Sequence, residues 1–229
     1  EIREALGRIA AATLSAMTLR GAGGTLGLAI LPTFGTRWLI PRLPDFVAGQ
    51  PGVNVNVATK LQPFDFELEP FDLAIHYGSA AWPGAELTHL FDETLIVVAS
   101  PAYRDRLTLA GPGDLKRATL LQQATRPALW GEWFDRAGAR HDHPFRGPLF
   151  DQFSMVAAAA AAGMGAALVP QFLVQDELAT RRLVRIGSES LSGSGAYYLA
   201  VPLTKRRDPL SLAFRAWILD QSRAAGERS

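Results

Sequence analysis

The chain has 229 residues, with 23 Lys and Arg against 22 Asp and Glu, and 48% of its residues are apolar. This composition is typical of a soluble globular protein and excludes a disordered, collagenous or disulfide-stapled chain. The net charge of +1 provides no electrostatic argument for a nucleic-acid-binding surface, and the lack of Cys excludes thiolate catalysis, disulfides and Cys-based zinc sites.

The start of the chain predicts a linker helix over residues 1–21. Apolar or small side chains recur there with heptad spacing, at Ile2, Leu6, Ile9, Thr13 and Ala16. Two interpretations stay open: an amphipathic helix docked on its own domain, and the end of a longer coiled coil. The charges of this segment are unlike those of a secretory signal, and the glycines after residue 20 separate the helix from the rest of the chain.

Strands and helices alternate from Thr25 onward, which predicts a parallel-rich sheet with helices on both faces. Pro41 and Pro44 lie inside the first helix of this region, so a kink or an irregular turn is expected there. The predicted elements are a strand at Leu26–Leu31, a helix at Phe34–Ala48, and strands at Val53–Ala58, Phe71–Tyr77 and Leu95–Ala99.

The same alternation restarts after Ser100, so the predicted fold class is α/β with two similar units in tandem. The uncharged run 152–175 is long enough to cross a bilayer, but alanines 157–162 are weakly apolar and Pro170 interrupts the run. A helix and a short buried strand are therefore favoured over a membrane span. At least two of the six alanines should reach the surface, because consecutive helix residues point in all directions. The predicted elements are strands at Thr119–Gln122, Phe145–Phe150, Ala166–Val169 and Ala196–Val201, and helices at Leu129–Ala137, Gln152–Ala162, Phe172–Thr180 and Leu210–Ser222.

The sequence contains no recognisable catalytic set. It lacks the G-x-S-x-G, H-E-x-x-H, S-x-x-K and Walker motifs. His141, Asp142 and His143 are close enough to bind a metal, but their Pro- and Arg-rich connector favours solvated loop histidines. His76 ends a predicted buried strand, where a structural histidine is favoured over a base. We expect neither a catalytic site nor a metal site.

Two strand-to-helix junctions favour binding chemistry instead. Thr33 follows the strand Leu26–Leu31, and Asp151 follows the strand that ends at Phe150. Such junctions place hydroxyls, amides and backbone N–H groups at a helix N-terminus, which favours a carboxylate or another anion. Ligands of doubly wound sheets bind at this edge. The alternative for Thr33 and Asp151 is a simple helix N-cap.

Several motifs together resemble the effector-binding domain of LysR-type transcriptional regulators. The resemblance covers roughly residues 22–222, and it is most similar to the branch that regulates β-lactamase, tryptophan-synthesis and glycine-cleavage genes. The linker helix resembles the end of that family's linker. The motifs are F-G-T-R-W-L-I-P-R-L-P-D-F at 34–46, F-D-L-A-I-H-Y-G at 71–78, L-I-V-V-A-S-P at 95–101, F-D at 150–151 and G-M-G-A-A-L-V-P at 163–170.

The resemblance implies two Rossmann-like subdomains of the type II periplasmic-binding-protein architecture, joined by two crossover strands, with an effector in the cleft. Subdomain I would comprise residues 22–99 and 203–229, and subdomain II residues 100–202. Family members commonly carry small hydroxyl residues where Gln152 and Phe153 stand, so a smaller or differently shaped pocket is expected. The implied effector-binding residues are Thr33, Phe34, Thr36, Tyr77, Ser100, Gln152, Phe153 and Tyr197. A head-to-tail dimer contact is expected at Arg37, Trp38, Arg42, Ala158 and Ala161.

The function implied is that of a small-molecule-sensing and oligomerisation domain of a cytoplasmic transcription regulator, without a cofactor and without catalysis. The expected partners are a carboxylate, an amino acid or a peptidoglycan fragment as effector, further copies of the chain in a homodimer or homotetramer, and promoter DNA. The DNA contact would belong to a helix-turn-helix outside these residues. A solute-binding protein of a transport system is the alternative with the same fold, and an enzyme ranks third.

Overall fold

The computed structural model describes residues 23–226, with side chains described for residues 23–223. The predicted linker helix at residues 1–21 lies outside the described residues. The described chain divides into two compact units: unit 1 comprises residues 23–91 and 195–226, and unit 2 comprises residues 92–194. The predicted subdomain boundaries at residues 99 and 202 stay a prediction. Within the described part of the chain, no helix is both long and apolar enough to cross a membrane.

The elements of unit 1 are β1 (Thr25–Ile30), α1 (Pro32–Phe34), a π-helical turn (Gly35–Leu39), α2 (Leu43–Ala48), β2 (Asn54–Thr59), β3 (Leu73–Gly78), the first half of β4 (Ala85–Ala99), the end of β8 (Val184–Pro202), a 3-10 turn (Leu203–Lys205) and α7 (Pro209–Gly226). Four of its strands lie in the order β2-β1-β3-β8. Strand β1 pairs in parallel with β2 and with β3, whereas β3 and β8 are antiparallel.

The predicted break in the first helix is confirmed, and its form decides which side chains face the core. The backbone N–H of Ile40 donates to Gly35 O over five residues at 2.9 Å, which is a π-type turn. The extra residue in this turn shifts the helix register, so Trp38 and Leu39 are both buried. Beyond it, Phe46 packs edge-on against a ring of α7, with its centroid 5.1 Å from that of Phe214.

Apart from the remaining parts of β4 and β8, the elements of unit 2 are α3 (Pro101–Leu107), a 3-10 turn (Pro112–Arg117), β5 (Leu120–Gln123), α4 (Leu129–Arg136), β6 (Leu149–Phe150), α5 (Phe153–Ala161), β7 (Ala166–Pro170), a 3-10 turn (Gln171–Leu173) and α6 (Gln175–Ala179). Four of its strands lie in the order β4-β7-β5-β6. Strand β7 is antiparallel to β4 and parallel to β5, and β5 is parallel to β6.

The sheet of unit 2 is covered on both faces, as predicted. Leu95 and Val97 of β4 pack in one buried cluster with Trp130 of α4. The intervening residues of β4, such as Ile96, pack in a second cluster with Val156 of α5. Because successive side chains of a strand point to opposite faces, these two clusters lie on opposite sides of the sheet. Because helices cover both faces of this sheet, the carboxyl ends of β5 and β6 lie between two layers of helices.

Candidate functional site

The predicted effector-binding residues of unit 1 gather at the carboxyl ends of β1 and β3. Thr33 lies within α1, directly after β1, and is buried. A Cβ atom at Gly35 would overlap Ile30 Cδ1, so a larger residue there would require the Ile30 side chain to move. The residue before α1 is Leu31, which has no side-chain cap hydrogen bond, so the alternative of Thr33 as an N-cap is wrong.

An aromatic cluster forms the core of this edge. Phe34 lies with its ring centroid 4.9 Å from that of Trp38 and 5.5 Å from that of Tyr197. Tyr197 lies 5.0 Å from Tyr77, its partner across β3 and β8, and 5.2 Å from Phe91. Phe34 is 1% exposed, so its ring packs beneath the surface residues of this edge rather than facing solvent. The structure brings these predicted residues together and adds Phe91, which the sequence did not indicate.

The polar groups of this edge have local partners. Tyr77 Oη accepts a hydrogen bond from the backbone N–H of Gly195 at 3.3 Å. Thr36 is exposed, and its hydroxyl donates to Pro32 O at 3.2 Å and more weakly to Thr33 O at 3.4 Å. The edge of unit 1 thus combines hydroxyl groups with a buried aromatic cluster. None of the predicted effector-binding residues of this unit has a charged side chain.

In unit 2 the carboxyl ends of β5 and β6 carry a polar cluster. Gln123 ends β5, opposite Phe150 of β6. Its Nε2 donates to Asp151 O at 3.1 Å and to Thr125 Oγ1 at 3.0 Å. A carbonyl oxygen only accepts, so the amide orientation is fixed. Gln123 Oε1 is consequently buried without a hydrogen-bond partner among the described residues, an arrangement that favours binding of a donor.

An ion pair stands beside this amide. Arg126 Nη2 lies 2.7 Å from Glu93 Oε2, with side chains 18% and 0% exposed, respectively. The Arg126 guanidinium also lies 5.6 Å from the ring centroid of Phe153, one of the predicted effector-binding residues. The buried carboxylate and the ring hold the guanidinium in place, and the Arg126 side chain as a whole is 18% exposed. A guanidinium held in this way is suited to bidentate recognition of a carboxylate.

The helix that starts at this edge adds a favourable field for an anion. Gln152 is the N-cap residue of α5 and makes no side-chain cap hydrogen bond, so Asp151 is not the cap either. The first turn of α5 has no acidic residue, and Gln152 and Phe153 are half-buried. The N-terminus of a helix carries a partial positive charge, which here is not neutralised by a side chain of the first turn.

Ser100 occupies a different position from the other predicted residues. It is the N-cap of α3, and its hydroxyl accepts a hydrogen bond from the backbone N–H of Tyr103 at 3.3 Å. It is buried, so its local role is structural. A role in effector binding stays a prediction for Ser100.

The structure corrects one residue of the predicted dimer contact. Trp38 is 1% exposed and packs in the aromatic cluster, so its side chain cannot reach a second copy. Arg37 and Arg42 are partly exposed, and Arg42 lies over the Trp38 ring at 4.7 Å. On α5, Ala158 is exposed and Ala161 half-buried, which confirms that at least two of the six alanines reach the surface.

Burial lowers the pKa of two histidines in the described part of the chain. His76 has its pKa lowered mainly by burial, against a backbone hydrogen bond with Ser79 that raises it. His141 has its pKa lowered by burial as well, and its Nδ1 accepts from the backbone N–H of His143 at 3.0 Å. Within residues 23–226, no group of three or more acidic or histidine side chains is arranged to hold a metal ion.

Comparisons with known proteins agree on one family. Residues 19–223 match the family model described as the LysR substrate binding domain. The glycine cleavage system transcriptional activator of Escherichia coli K12 is 33% identical over 229 residues, which are 100% of this chain and 74% of that protein. The transcriptional activator AmpR of Pseudomonas aeruginosa is 33% identical over 198 residues, covering 86% of this chain and 66% of its own length.

Solved structures give the same result. The effector domain of the transcriptional regulator AmpR of Pseudomonas aeruginosa superposes with a TM-score of 0.78 at 32% identity, covering 89% of this chain and 98% of that one. The regulatory domain of CrgA from Neisseria meningitidis has a TM-score of 0.73 at 16% identity, covering 86% of this chain and 98% of its own. At that identity the second match shows the fold alone.

Proposed function

The chain belongs to the LysR substrate-binding domain family, and on this premise we propose that it senses a small effector that carries a carboxylate. Membership confirms the resemblance and the fold class predicted from the sequence motifs. LysR regulators bind small-molecule effectors and DNA and form oligomers. The relatives are transcriptional activators by name, and the comparisons give no support to the alternative of a transport solute-binding protein.

The observation that carries the proposal is the position of Arg126. Its guanidinium is fixed by the buried carboxylate of Glu93 and by the ring of Phe153, at the edge where α5 begins. A guanidinium that is already oriented loses little conformational entropy when it binds a carboxylate. The positive end of α5 adds to the attraction. Gln123 Oε1, which has no donor among the described residues, favours an effector with an N–H group, as an amino acid or a peptidoglycan peptide has.

The other proposed contacts differ in kind. In unit 1 we assign effector recognition to the hydroxyls of Thr33, Thr36, Tyr77 and Tyr197, with Phe34 as the buried support for these side chains. In unit 2 we assign effector recognition to Gln152 and Phe153. We also assign it to Ser100, in addition to its role as the N-cap residue of α3. We propose that the domain binds its effector without transforming it, because the relatives are transcriptional activators by name.

A thermal-shift screen tests this proposal. Amino acids, small carboxylates and peptidoglycan fragments are the compounds to be tried, because a ligand that binds only the native state raises the melting temperature. The variant Arg126→Lys keeps a cation beside Glu93 but loses the bidentate geometry, so it should reduce the shift at least severalfold. Arg136→Lys, an exposed substitution on α4, is the matched control. An unchanged shift in Arg126→Lys contradicts the assignment.

Self-association is proposed through α5 of one copy and the helical segment after β1 of another, in a homodimer or homotetramer. The methyl groups of Ala158, exposed, and Ala161, half-buried, permit close approach, and Arg37 and Arg42 lie on the opposing segment. Ile40, 47% exposed, adds an apolar contact there. Ala158→Glu should dissociate the dimer and so lower the weight-average sedimentation coefficient of the sample. Ala81→Glu, at an exposed position in unit 1, should leave that coefficient unchanged. A parent chain that sediments as a monomer overturns this contact.

For the full-length regulator, promoter DNA is the proposed partner and the cytoplasm the proposed location. The names of the relatives as transcriptional activators support both. A mobility-shift assay of the full-length protein with its own upstream DNA, with and without the effector from the screen, is the test. The absence of any DNA shift would contradict this part of the proposal.

A further inference from the structure

Unit 2 contains an open groove of about 800 Å³ whose rim is strongly basic. Arg106 of α3 and Arg181 and Arg182 after α6 line it, together with Tyr103 and the exposed alanine face of α5, including Ala158. Arg181 and Arg182 are exposed and Arg106 is at the rim, and no Asp or Glu lines the groove. A concave surface with cations of one sign focuses the field and concentrates anions.

The arginines of this rim are poorly neutralised by the protein. Arg182 pairs with Glu177 at 3.1 Å. Neither Arg106 nor Arg181 forms an ion pair within the described part of the chain. The guanidinium of Arg106 lies 5.0 Å from the ring centroid of Tyr103, which holds it at the groove without cancelling its charge. The groove therefore has at least two guanidinium groups available for an external anion.

Arg181 also has an unusual backbone conformation. Its φ is +55°, in the left-handed region, just after the C-terminus of α6. Glycine is the usual residue there, since a Cβ atom makes the conformation unfavourable. Arg181 therefore keeps a long charged side chain at the groove at the expense of backbone strain. The only other described residue of this kind besides glycines is Thr108, which is not among the groove-lining residues.

We propose that this groove binds a multivalent oxyanion, a phosphate or a polycarboxylate, through Arg106, Arg181 and Arg182. Guanidinium groups form paired hydrogen bonds with such oxygens, and the groove is large enough for a small metabolite. The groove shares Ala158 with the proposed subunit contact. In the proposed subunit contact, Arg37 and Arg42 of a second copy would approach the arginines of the groove, and an anion bound between them would offset the repulsion. This effect on association rests on the proposed self-association, whereas anion binding by the groove does not.

Calorimetry and thermal shift with inorganic phosphate and with citrate test the site. The comparison solution is sodium chloride at equal ionic strength, which separates a bound anion from general screening. The parent should show saturable binding of one of the two anions and a rise in melting temperature beyond that in chloride. Arg181→Gly relieves the strained backbone, so it should fold at least as well as the parent while binding the anion at least tenfold more weakly.

Thr108→Gly is the matched control, because it relieves the same kind of strain away from the groove and should retain anion binding. The proposal is overturned if chloride reproduces the effect, if Arg181→Gly binds as the parent does, or if neither phosphate nor citrate shows saturable binding. Sedimentation of the same samples separates the two proposals. Anion binding that is lost in Arg181→Gly supports the anion site whether the parent sediments as a monomer or as a dimer. A monomeric parent counts against the self-association alone, and an anion that leaves the sedimentation of a dimeric parent unchanged counts only against the link between the two.

Discussion

The polar edges of the two units are built from different chemistry. In unit 1 the predicted effector-binding residues are hydroxyls set on a buried aromatic cluster around Phe34 and Tyr197. In unit 2 the corresponding edge carries a charged pair, Glu93 and Arg126, and the partly unsatisfied amide of Gln123. The edge of unit 1 is therefore suited to shape and hydroxyl contacts, whereas the edge of unit 2 is suited to recognition of charge.

Truncation of the aromatic cluster should have the largest effect. Phe34→Ala removes a side chain that is 1% exposed and contacts the rings of Trp38 and Tyr197, so the free energy of unfolding should fall by about 4 kcal/mol. Chemical denaturation measures this change. Phe145→Ala, at a side chain that is 64% exposed, is the control and should change it by less than about 0.5 kcal/mol. Equal losses would show that the cluster is not a packed core.

Removal of the cation in unit 2 should come next. Arg126→Leu leaves the carboxylate of Glu93, 0% exposed, without this partner, so stability should fall by about 3 kcal/mol. Adding Glu93→Gln should recover part of that loss, because the buried charge is then gone. The exposed pair Arg104–Asp105 provides the contrast: Arg104→Leu should cost less than about 1 kcal/mol. A similar loss in Arg126→Leu and Arg104→Leu would contradict the structural role of Glu93.

A smaller effect is expected for the hydroxyls of unit 1. Thr33→Val keeps the shape of a buried side chain but removes its hydroxyl, so it should weaken effector binding by about 1 kcal/mol, roughly fivefold. Calorimetric titration with the effector found by the screen measures this. Thr204→Val, an exposed position after β8, should leave the affinity unchanged. Unchanged affinity in Thr33→Val with intact folding would remove Thr33 from the site.

The smallest effect concerns pH. Burial lowers the pKa of His76 below 6.5, so between the folded and unfolded pKa values the unfolded chain binds more protons. Stability should therefore fall as pH decreases below about 6.5. His76→Asn should reduce this slope without abolishing it, because the pKa of His141 is lowered as well. Denaturation midpoints between about pH 5 and 7.5 measure it, and an identical slope in both proteins would contradict the assignment.

Apolar runs predicted much of the fold. Strands β1, β3 and β7 lie within about two residues of the prediction, since buried parallel strands are continuously apolar. Residues 85–94 of β4 were not predicted, because Glu86, Asp92 and Glu93 interrupt their apolar pattern. The first part of β8 is rich in Ser and Gly and was missed for a similar reason. The burial of Trp38 depends on a π-type turn, which no periodicity of 3.6 residues indicates.

The candidate site was predicted less completely. The junctions at Thr33 and Gln152 follow from local sequence, because each comes directly after a strand. Arg126 and Glu93 are 33 residues apart in sequence, and their contact depends on how β4 and β5 are placed by β7 between them. The burial of Glu93 runs against the usual exposure of acidic residues, so composition gave no signal for it.

The most direct measurement is a calorimetric titration with the strongest carboxylate found by the screen and with its primary carboxamide. The two ligands have nearly the same shape and differ in the negative charge that Arg126 is proposed to bind. The parent should bind the carboxylate at least tenfold more tightly than the carboxamide, and Arg126→Lys should lose most of this preference. Equal affinity of the parent for the two ligands, or an unchanged preference in Arg126→Lys, would contradict charge recognition by unit 2.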